Sequence, residues 1–528
     1  MSSGNDNSRA ITVGLAMVGG LIAAIFLGRF VAEGDYSRVT MVVGATFGIL
    51  FVLLIGNRYW LLVPVAIGLD LPTFQLGARN INFSELSIAL CAGVFAVRFA
   101  MKREQLDLLR ARNVPILLYF AWVLLVWALH PVGLAGFGSQ IGGGRFYATI
   151  LLAFAAFLLV ANQQIGEKDI KWIFGLLLLG TFVNLSRTLL EYFVLGRGLG
   201  VAGMDLEVVG IYTWHQALAG PSLLLVTLLF SRYPPSQIFS FGHPARLGLY
   251  AACILPVLMS GKRAAVAQLL LFPLLGAVLH KQYRYVSLFA FAALLGLGGL
   301  LAGQGTLFNL PLTMQRALSW LPGAWDSDMD SVRGGQDDFR RALREIALEE
   351  IVRDPWMGDG FRVDINETAG VYNRSLMFGT SDIRDQVLPF ALGKAWHNMW
   401  LGYAADFGIP LSLIQVFVLF TGLFMAHKVF RLSGDTVWIR TMAAYCFMFF
   451  FRDLLLSWTS GHSANDALSR WWMYGMIFAL ADQLVKMKAE RGLAQVQTLQ
   501  AGTNGLEPAL SKPDPGALAP ASPPRKAR

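Results

Sequence analysis

A chain of 528 residues that is 55% hydrophobic and only 15% charged, with a mean hydropathy of +0.53, does not have the composition of a soluble protein. The formal charge of +9 does not indicate a nucleic-acid partner, because the basic residues fall in short loops between apolar runs, where they orient a membrane protein. The three cysteines lie inside apolar runs without the spacing of a disulfide framework or a metal site, which favours packing. We expect no metal ion or other cofactor.

Apolar runs of membrane-spanning length follow one another along the chain. A bilayer core of ~30 Å requires about 20 apolar residues in a helix. The candidate spans are 11–31, 39–56, 59–76, 84–101, 114–131, 147–162, 170–188, 211–231, 247–260, 264–280, 285–302, 408–427, 437–457 and 467–485. The first run lacks a small-residue cleavage site, so we expect a retained span and no signal peptide. The sequence predicts an all-α, polytopic transmembrane bundle of about 12–14 spans.

The basic residues of the short loops fall on one side of the membrane if the N-terminus is cytoplasmic. The same threading places 303–395 outside, and this long loop holds fourteen Asp and Glu against ten Lys and Arg. We therefore predict four regions. They are an N-terminal transmembrane bundle (1–302), an extracytoplasmic loop domain (303–395), C-terminal transmembrane helices (396–485) and a disordered cytoplasmic tail (486–528).

The centre of the long loop has the pattern of one amphipathic helix followed by a turn. Its segment DDFRRALREIALEEIVRDP carries apolar residues at 339, 343, 346, 347 and 351, and Pro355 ends it. The next residues, WMGDGF, contain the glycines of a tight turn.

Basic residues on the outer side oppose the orientation rule and require another reason. Ser260, Lys262 and Arg263, between two short apolar runs, suit an anionic oxygen cluster such as a diphosphate, which guanidinium binds bidentately. The alternative is that Lys262 and Arg263 extend to lipid headgroups. Arg340 and Arg341 on the loop helix could bind the same anion, or form a solvated face that pairs with neighbouring carboxylates.

A histidine follows the long loop directly. With an ordinary pKa of ~6.5, His397 could act as a general base, or serve as a hydrogen-bonding residue at the membrane interface. Asn398 could orient its ring, and Trp400 could anchor an interfacial helix before the next span. His215, at the start of an earlier span, is a second candidate of the same kind.

These motifs occur in an order that resembles the O-antigen ligase and O-antigen polymerase superfamily, over residues from about 250 to 425. The matching positions are Ser260, Arg263, Arg340, Pro355, Gly358, Gly360, His397, Asn398, Leu401, Asp406 and Gly408. The chain departs from the family pattern where Gly261 and Lys262 interrupt the Ser-Arg pair, and where Arg341 stands beside the loop arginine.

The resemblance implies an inverting glycosyltransferase of the bacterial inner membrane, acting on its extracytoplasmic side without a metal ion. Its donor would be a glycan on undecaprenyl diphosphate, and its acceptor a saccharide or lipid A-core, in O-antigen or exopolysaccharide synthesis. His397, Arg263 and Arg340 would be catalytic. The substrate-binding candidates are Ser260, Lys262, Arg341, Asn398, Trp400 and His215.

Two alternatives remain open at this point. A protein O-oligosaccharyltransferase of the same superfamily would use a protein hydroxyl as acceptor. A transporter or flippase of lipid-linked sugars would have inverted repeats and charged residues at mid-membrane depth. Arg452 and Asp453, adjacent within a span, are the hint of such charges, and we interpret them as an internal polar contact or relay rather than a catalytic pair.

Overall fold

A computed structural model describes residues 56–69, 74–76, 79–104, 113–132, 143–193, 206–362, 387–388, 390–391, 394, 396, 398–458 and 464–504. Within these ranges, side chains are described except at 69, 74–76, 79–81, 191–192, 206–216, 327–336, 464–469 and 491–504. The chain divides into two compact units, Met1–Ala481 and Asp482–Arg528.

The described chain is helical apart from one short hairpin. A 3-10 helix, Gly56–Leu61, precedes α1 (Leu62–Leu69), β1 (Phe74–Leu76), β2 (Arg79–Ile81), α2 (Phe83–Ala100), α3 (Val114–Leu129), α4 (Gly144–Ala161), α5 (Glu167–Phe193), α6 (Leu206–Arg232) and α7 (Pro235–Ile238). There follow α8 (Pro244–Met259), α9 (Arg263–Leu279), α10 (Tyr283–Gly303), α11 (Leu312–Leu318), α12 (Ser327–Arg353), α13 (Met399–Leu432), α14 (Val437–Leu456) and α15 (Ala464–Asn504). The strands are antiparallel, with Phe74 opposite Ile81.

Five of these helices, α2, α4, α5, α10 and α13, are long and apolar enough to cross a membrane. Four shorter apolar helical segments are α3, residues 217–232 of α6, α8 and α9. Helix α10 exposes Leu288, Phe291, Leu294 and Leu295. Such a surface is unfavourable in water and normal in hydrocarbon. The prediction of an all-α membrane-embedded protein is confirmed at this level.

The structure differs from the predicted elements in two places. The predicted span 59–76 is wrong, because that stretch consists of the 3-10 helix, the two-turn α1 and strand β1. The sequence Asp70-Leu71-Pro72 interrupts the apolar run, and a proline disfavours helical dihedral angles at the residue before it. Helix α15 also continues through 486–504, which were assigned to the disordered tail and are rich in strong helix formers. The first two predicted spans and residues 505–528 lie outside the described residues.

Helix α13 is central to the packing, since it contacts α14, α3 and α12. At Gly422 of α13 an added Cβ would lie 2.5 Å from the Tyr474 ring of α15 and 3.1 Å from the Phe450 ring of α14. The missing side chain therefore lets the three helices approach closely. The two rings stack with centroids 4.4 Å apart. This packing places the first turns of α13 beside the amphipathic helix α12.

Candidate functional site

Helix α13 begins at a polar cap. The side-chain oxygen of Asn398 accepts hydrogen bonds from the backbone N–H groups of Trp400 (3.0 Å) and Leu401 (3.1 Å), as an N-cap asparagine does. The N–H of Met399 donates to the Ser457 carbonyl (2.9 Å) at the end of α14. Asn398 therefore has a structural role as the helix cap, and its role toward the ring of residue 397 or a substrate stays a prediction.

Helix α13 breaks at Gly408, two turns after it starts. Gly408 has φ 78° and ψ 165°, and a Cβ there would lie 2.0 Å from the carbonyl oxygen of Trp356. A left-handed φ combined with so close a backbone approach requires glycine. The sequence predicts a short helix before the span that starts at 408, and the break at Gly408 lies at that boundary.

The predicted tight turn after α12 docks onto this break. Gly358 and Gly360 have φ of 63° and 61°, so the turn prediction is confirmed. The Gly360 N–H donates to the Asp406 carbonyl (2.6 Å), and the Ile409 N–H donates to the Pro355 carbonyl (2.8 Å). The turn and the broken helix thus satisfy backbone groups that an uninterrupted helix would pair internally.

Aromatic side chains connect the docked turn and the break in α13 to two apolar helices, α3 and α4. Phe361 packs its ring 5.0 Å from the Phe407 ring, and its N–H donates to the Tyr147 hydroxyl (3.2 Å) of α4. Trp122 of α3 donates its indole N–H to the Phe407 carbonyl (2.9 Å). The junction is therefore anchored to two helices far away in sequence.

Helix α12 is amphipathic as predicted. Its residues Ala342, Leu343, Ile346 and Ala347 are buried in a cluster that also contains Trp396. The helix ends at Arg353, just before Pro355, as its pattern indicates. Arg341 is exposed on the far side of the helix, whereas Arg340 and Arg344 lie at the edge of the apolar face, near Leu343 and Ala347.

A buried ion cluster holds the segment immediately before His397. The Lys394 ammonium lies 3.3 Å from the Glu350 carboxylate and 3.4 Å from the Asp406 carboxylate, and Trp396 donates its indole N–H to Asp406 (3.0 Å). Burial raises the pKa of Glu350, against the lowering effect of Lys394. Burial alone would lower the pKa of Lys394, but Asp406 and Glu350 raise it above its ordinary value, so the ammonium stays charged at neutral pH.

A cavity of about 180 Å³ lies between α12 and the start of α13. It is lined by Asp337, Arg340, Leu343, Arg344, Ala347, Trp396, Asn398, Leu401 and Trp458. The Arg344 Nε–H donates to the Arg340 carbonyl (3.2 Å), one turn earlier in the helix. Among the described residues, neither guanidinium is paired with a carboxylate.

The cavity brings together part of the predicted site. Arg340 and Asn398 line it, as do the neighbours of His397 on both sides, Trp396 and Asn398. His397 itself lies outside the described residues, and His215 belongs to α6 in a stretch whose side chains are not described. Arg341 does not line the cavity; it is exposed and 3.9 Å from Asp338, which is the solvated-face alternative.

The SGKR motif lies elsewhere, in the turn between α8 and α9. Ser260 donates its hydroxyl to the Val257 carbonyl (2.6 Å), Lys262 is exposed, and Arg263 donates to the Ser319 hydroxyl (3.0 Å) after α11. None of the three lines the cavity. Helix α11 contacts α8, α9 and α12, so it connects this turn to the arginine-bearing helix.

Two tryptophans line the cavity, Trp396 and Trp458, and the predicted Trp400 does not. Trp400 is buried, with its ring centroid 6.5 Å from that of Trp458, whereas Trp458 is 64% exposed and lines the cavity. Trp458 follows the last turn of α14, where sequence alone gave no reason to connect it with His397. Arg344, one helical turn from Arg340, could have been found from the helical period.

The adjacent Arg452 and Asp453 form an internal polar contact, with a guanidinium nitrogen 2.6 Å from the carboxylate. Arg470 of α15 lies 3.3 Å from the other carboxylate oxygen, so Asp453 contacts two guanidinium groups. Arg470 also contacts the Met399 sulfur (2.7 Å), which ties this cluster to the start of α13. Arg470 was missed, since nothing in the sequence pairs it with residue 453.

Compared with known proteins, the chain matches no protein-family model and no curated protein.

Proposed function

We propose that this protein is an inverting membrane glycosyltransferase of the O-antigen ligase and polymerase type. It transfers a glycan from undecaprenyl diphosphate to an acceptor hydroxyl on the extracytoplasmic side of the bacterial inner membrane. The bundle has about 12–14 spans, and residues 303–395 form its extracytoplasmic region. The order of motifs from residue 260 to 408 supports the proposal, together with the arrangement of arginines around the start of α13.

One observation carries the proposal. Arg340 and Arg344 line a single cavity with Trp396 and Asn398, the two residues that flank His397. Two guanidinium groups that have no carboxylate partner among the described residues suit a diphosphate, whose oxygens accept paired N–H groups. The neighbouring histidine supplies the proton acceptor that a hydroxyl nucleophile requires.

In the proposed reaction His397 accepts the proton of the acceptor hydroxyl as its oxygen bonds to the anomeric carbon. The bond from that carbon to the diphosphate oxygen breaks on the opposite face, which inverts the configuration. Arg340 and Arg344 stabilise the negative charge that develops on the leaving diphosphate. The exposed ring of Trp458 offers an apolar face for a sugar. Arg263, in the turn bound to Ser319, stays a candidate for holding the donor.

The described residues on either side of position 397 are held by contacts. Lys394 and Trp396 before it are both held to Asp406, and Asn398 after it is held in the helix cap. A catalytic group gains rate when its position is set before the substrate arrives.

A polymerase or ligase differs from a protein O-oligosaccharyltransferase in its acceptor, which is a saccharide or lipid A-core instead of a protein hydroxyl. The residues of the cavity do not favour one of these acceptors over the other. A transporter is the less favoured alternative. Arg452 and Asp453, the charges that suggested it, lie about one turn from the end of α14 instead of at its middle.

The test is a transfer assay with purified protein, a defined lipid-linked donor, and a saccharide and a serine peptide as competing acceptors. Arg340→Ala and Arg344→Ala should each lower transfer by about 10- to 100-fold, which corresponds to roughly 1.5–3 kcal/mol per charge-assisted contact. Arg341→Ala, on the exposed face of the same helix, is the matched control and should have little effect.

His397→Gln keeps a hydrogen-bonding side chain but cannot accept the proton, so transfer should fall by about 10²- to 10⁴-fold. Full activity of Arg340→Ala and Arg344→Ala would refute the role of the cavity. Full activity of His397→Gln would remove base catalysis from the mechanism.

A further inference from the structure

A second polar region lies at the opposite ends of the helices that form the candidate site. Helix α14 runs from Val437 to Leu456, next to Trp458 of the first cavity. At ~1.5 Å per residue its length is about 30 Å, close to the thickness of a bilayer core. Two cavities of about 560 and 310 Å³ lie near its first turn, and they share His280, Gly434 and Arg440 as lining residues.

The lining of these cavities is strongly basic. Arg232 ends α6, Lys281 follows α9, Arg431 lies in the last turn of α13, and Arg440 lies in the first turn of α14. In the part of the chain that the structure describes, none of these four cations is paired with a carboxylate. Asp435 is the acidic residue of the lining. The balance of charge therefore favours an anion.

Aromatic rings hold two of the guanidinium groups in place. Arg440 lies over the Phe430 ring at 4.6 Å, and Arg232 lies over the Trp438 ring at 4.9 Å. A guanidinium stacked on a ring keeps the N–H groups of its edge available for an oxygen ligand. His280 packs its own ring 5.5 Å from Phe430. Arg440 Nε and His280 Nε2 are buried without a hydrogen-bond partner among the described residues.

Lys281 occupies a backbone position where glycine is usual. It follows α9 with φ 56°, its N–H donates to the Val278 carbonyl (3.0 Å), and the next N–H, of Gln282, donates to Ala277 (2.8 Å). This is the Schellman pattern, whose left-handed position is most often glycine because a Cβ is strained there. The orientation of membrane loops requires only that a basic residue lie somewhere in the loop, so it does not explain a lysine at this position.

We infer that these adjoining cavities bind a phosphate group, as a monoester or a diester, through Arg440 with Arg232, Arg431 and Lys281. Tetrahedral phosphate oxygens accept paired N–H groups from arginine, and four cations that have no carboxylate partner in the described ranges favour an anion whose charge is spread over several oxygens. The site is distinct from the cavity of Arg340 and does not depend on the proposed transfer reaction. Two sources present this chemistry, a lipid headgroup and free phosphate.

The experiment uses full-length protein in a phosphate-free maltoside detergent and follows its thermal unfolding. One titration adds dihexanoyl phosphatidylglycerol, with dihexanoyl glycerol as the uncharged lipid. The other adds inorganic phosphate, with chloride at equal ionic strength. We expect saturable stabilisation by at least one phosphate compound. Saturation by the lipid alone identifies a headgroup site, and saturation by inorganic phosphate identifies a site for the free group.

Arg440→Met keeps the length of the side chain and removes its charge, so it should weaken the saturating ligand by about 10- to 100-fold. Arg284→Met is the control, because Arg284 is exposed near the same loop and does not line either cavity. Arg431→Met serves the same purpose if Arg440→Met does not fold. The inference is overturned if neither phosphate compound saturates, or if Arg284→Met weakens binding as much as the cavity variants do.

Discussion

Replacement of Lys394 by methionine tests whether the buried ion cluster holds the segment around the proposed base. The Lys394 side chain is 5% exposed, that of Asp406 is 0% and that of Glu350 is 19%. At 3.3–3.4 Å each contact has an attraction of roughly 5 kcal/mol for an effective dielectric constant of about 20, before desolvation is subtracted. Removing one partner of such a buried group costs about 3–5 kcal/mol, because a buried charge is left uncompensated.

The free energy of unfolding should be measured by denaturant titration in detergent. Arg353→Met is the matched control, since Arg353 forms an ion pair with Asp359 close by but is 65% exposed, and such pairs contribute under about 1 kcal/mol. The double variant Lys394→Met with Asp406→Asn should recover part of the loss. Equal stability of Lys394→Met and Arg353→Met would refute the reasoning.

The loss should also depend on pH. Burial already raises the pKa of Glu350, and removing Lys394 takes away a group that lowers it. A carboxyl whose pKa is higher in the folded than in the unfolded state binds more protons when folded, so its contribution to stability falls as pH rises. The deficit of Lys394→Met relative to wild type should therefore be larger at pH 8 than at pH 5.5. An unchanged deficit would mean that the carboxylates are solvated.

Three further changes test other parts of the structure. Gly408→Ala should lower both stability and transfer, because its Cβ would meet a carbonyl of the docked turn. Gly175→Ala, with open space around it, should lower neither. Equal effects of the two variants in unfolding assays would contradict the docking. Asn398→Ala should lower the free energy of unfolding by about 1 kcal/mol, and Asn398→Asp should lower it much less. If transfer also needs the amide nitrogen, Asn398→Asp lowers transfer without lowering stability. Val352→Cys and Tyr283→Cys are both exposed, and an impermeant thiol reagent applied to intact cells should label only the first; the reverse would invert the topology.

Local sequence patterns predicted those parts of the site that depend on neighbours along the chain. The period of apolar residues at 343, 346 and 347 gave the buried face of α12, and the glycines of WMGDGF gave the turn. Both follow from backbone geometry within a few residues.

The remaining features depend on contacts between distant segments, which one sequence does not reveal. Lys394 was not singled out, because its partners Glu350 and Asp406 are 44 and 12 residues away. Trp458 reaches the cavity only because α14 returns to the start of α13. The same limit applies to Arg263, whose partner Ser319 belongs to an element with no pattern of its own.

The docking of the turn at 355–361 onto the break in α13 has a consequence for chimeric proteins. The carbonyls of Asp406 and Phe407 receive their hydrogen bonds from Gly360 and from Trp122, while the Ile409 N–H depends on Pro355. A loop exchanged at 303–395 without this turn would leave backbone groups unsatisfied next to an apolar bundle, at a cost of several kcal/mol. The loop and the bundle are therefore not interchangeable modules, and a transplant intended to change acceptor specificity has to carry the turn, and the glycine that receives it, as one unit.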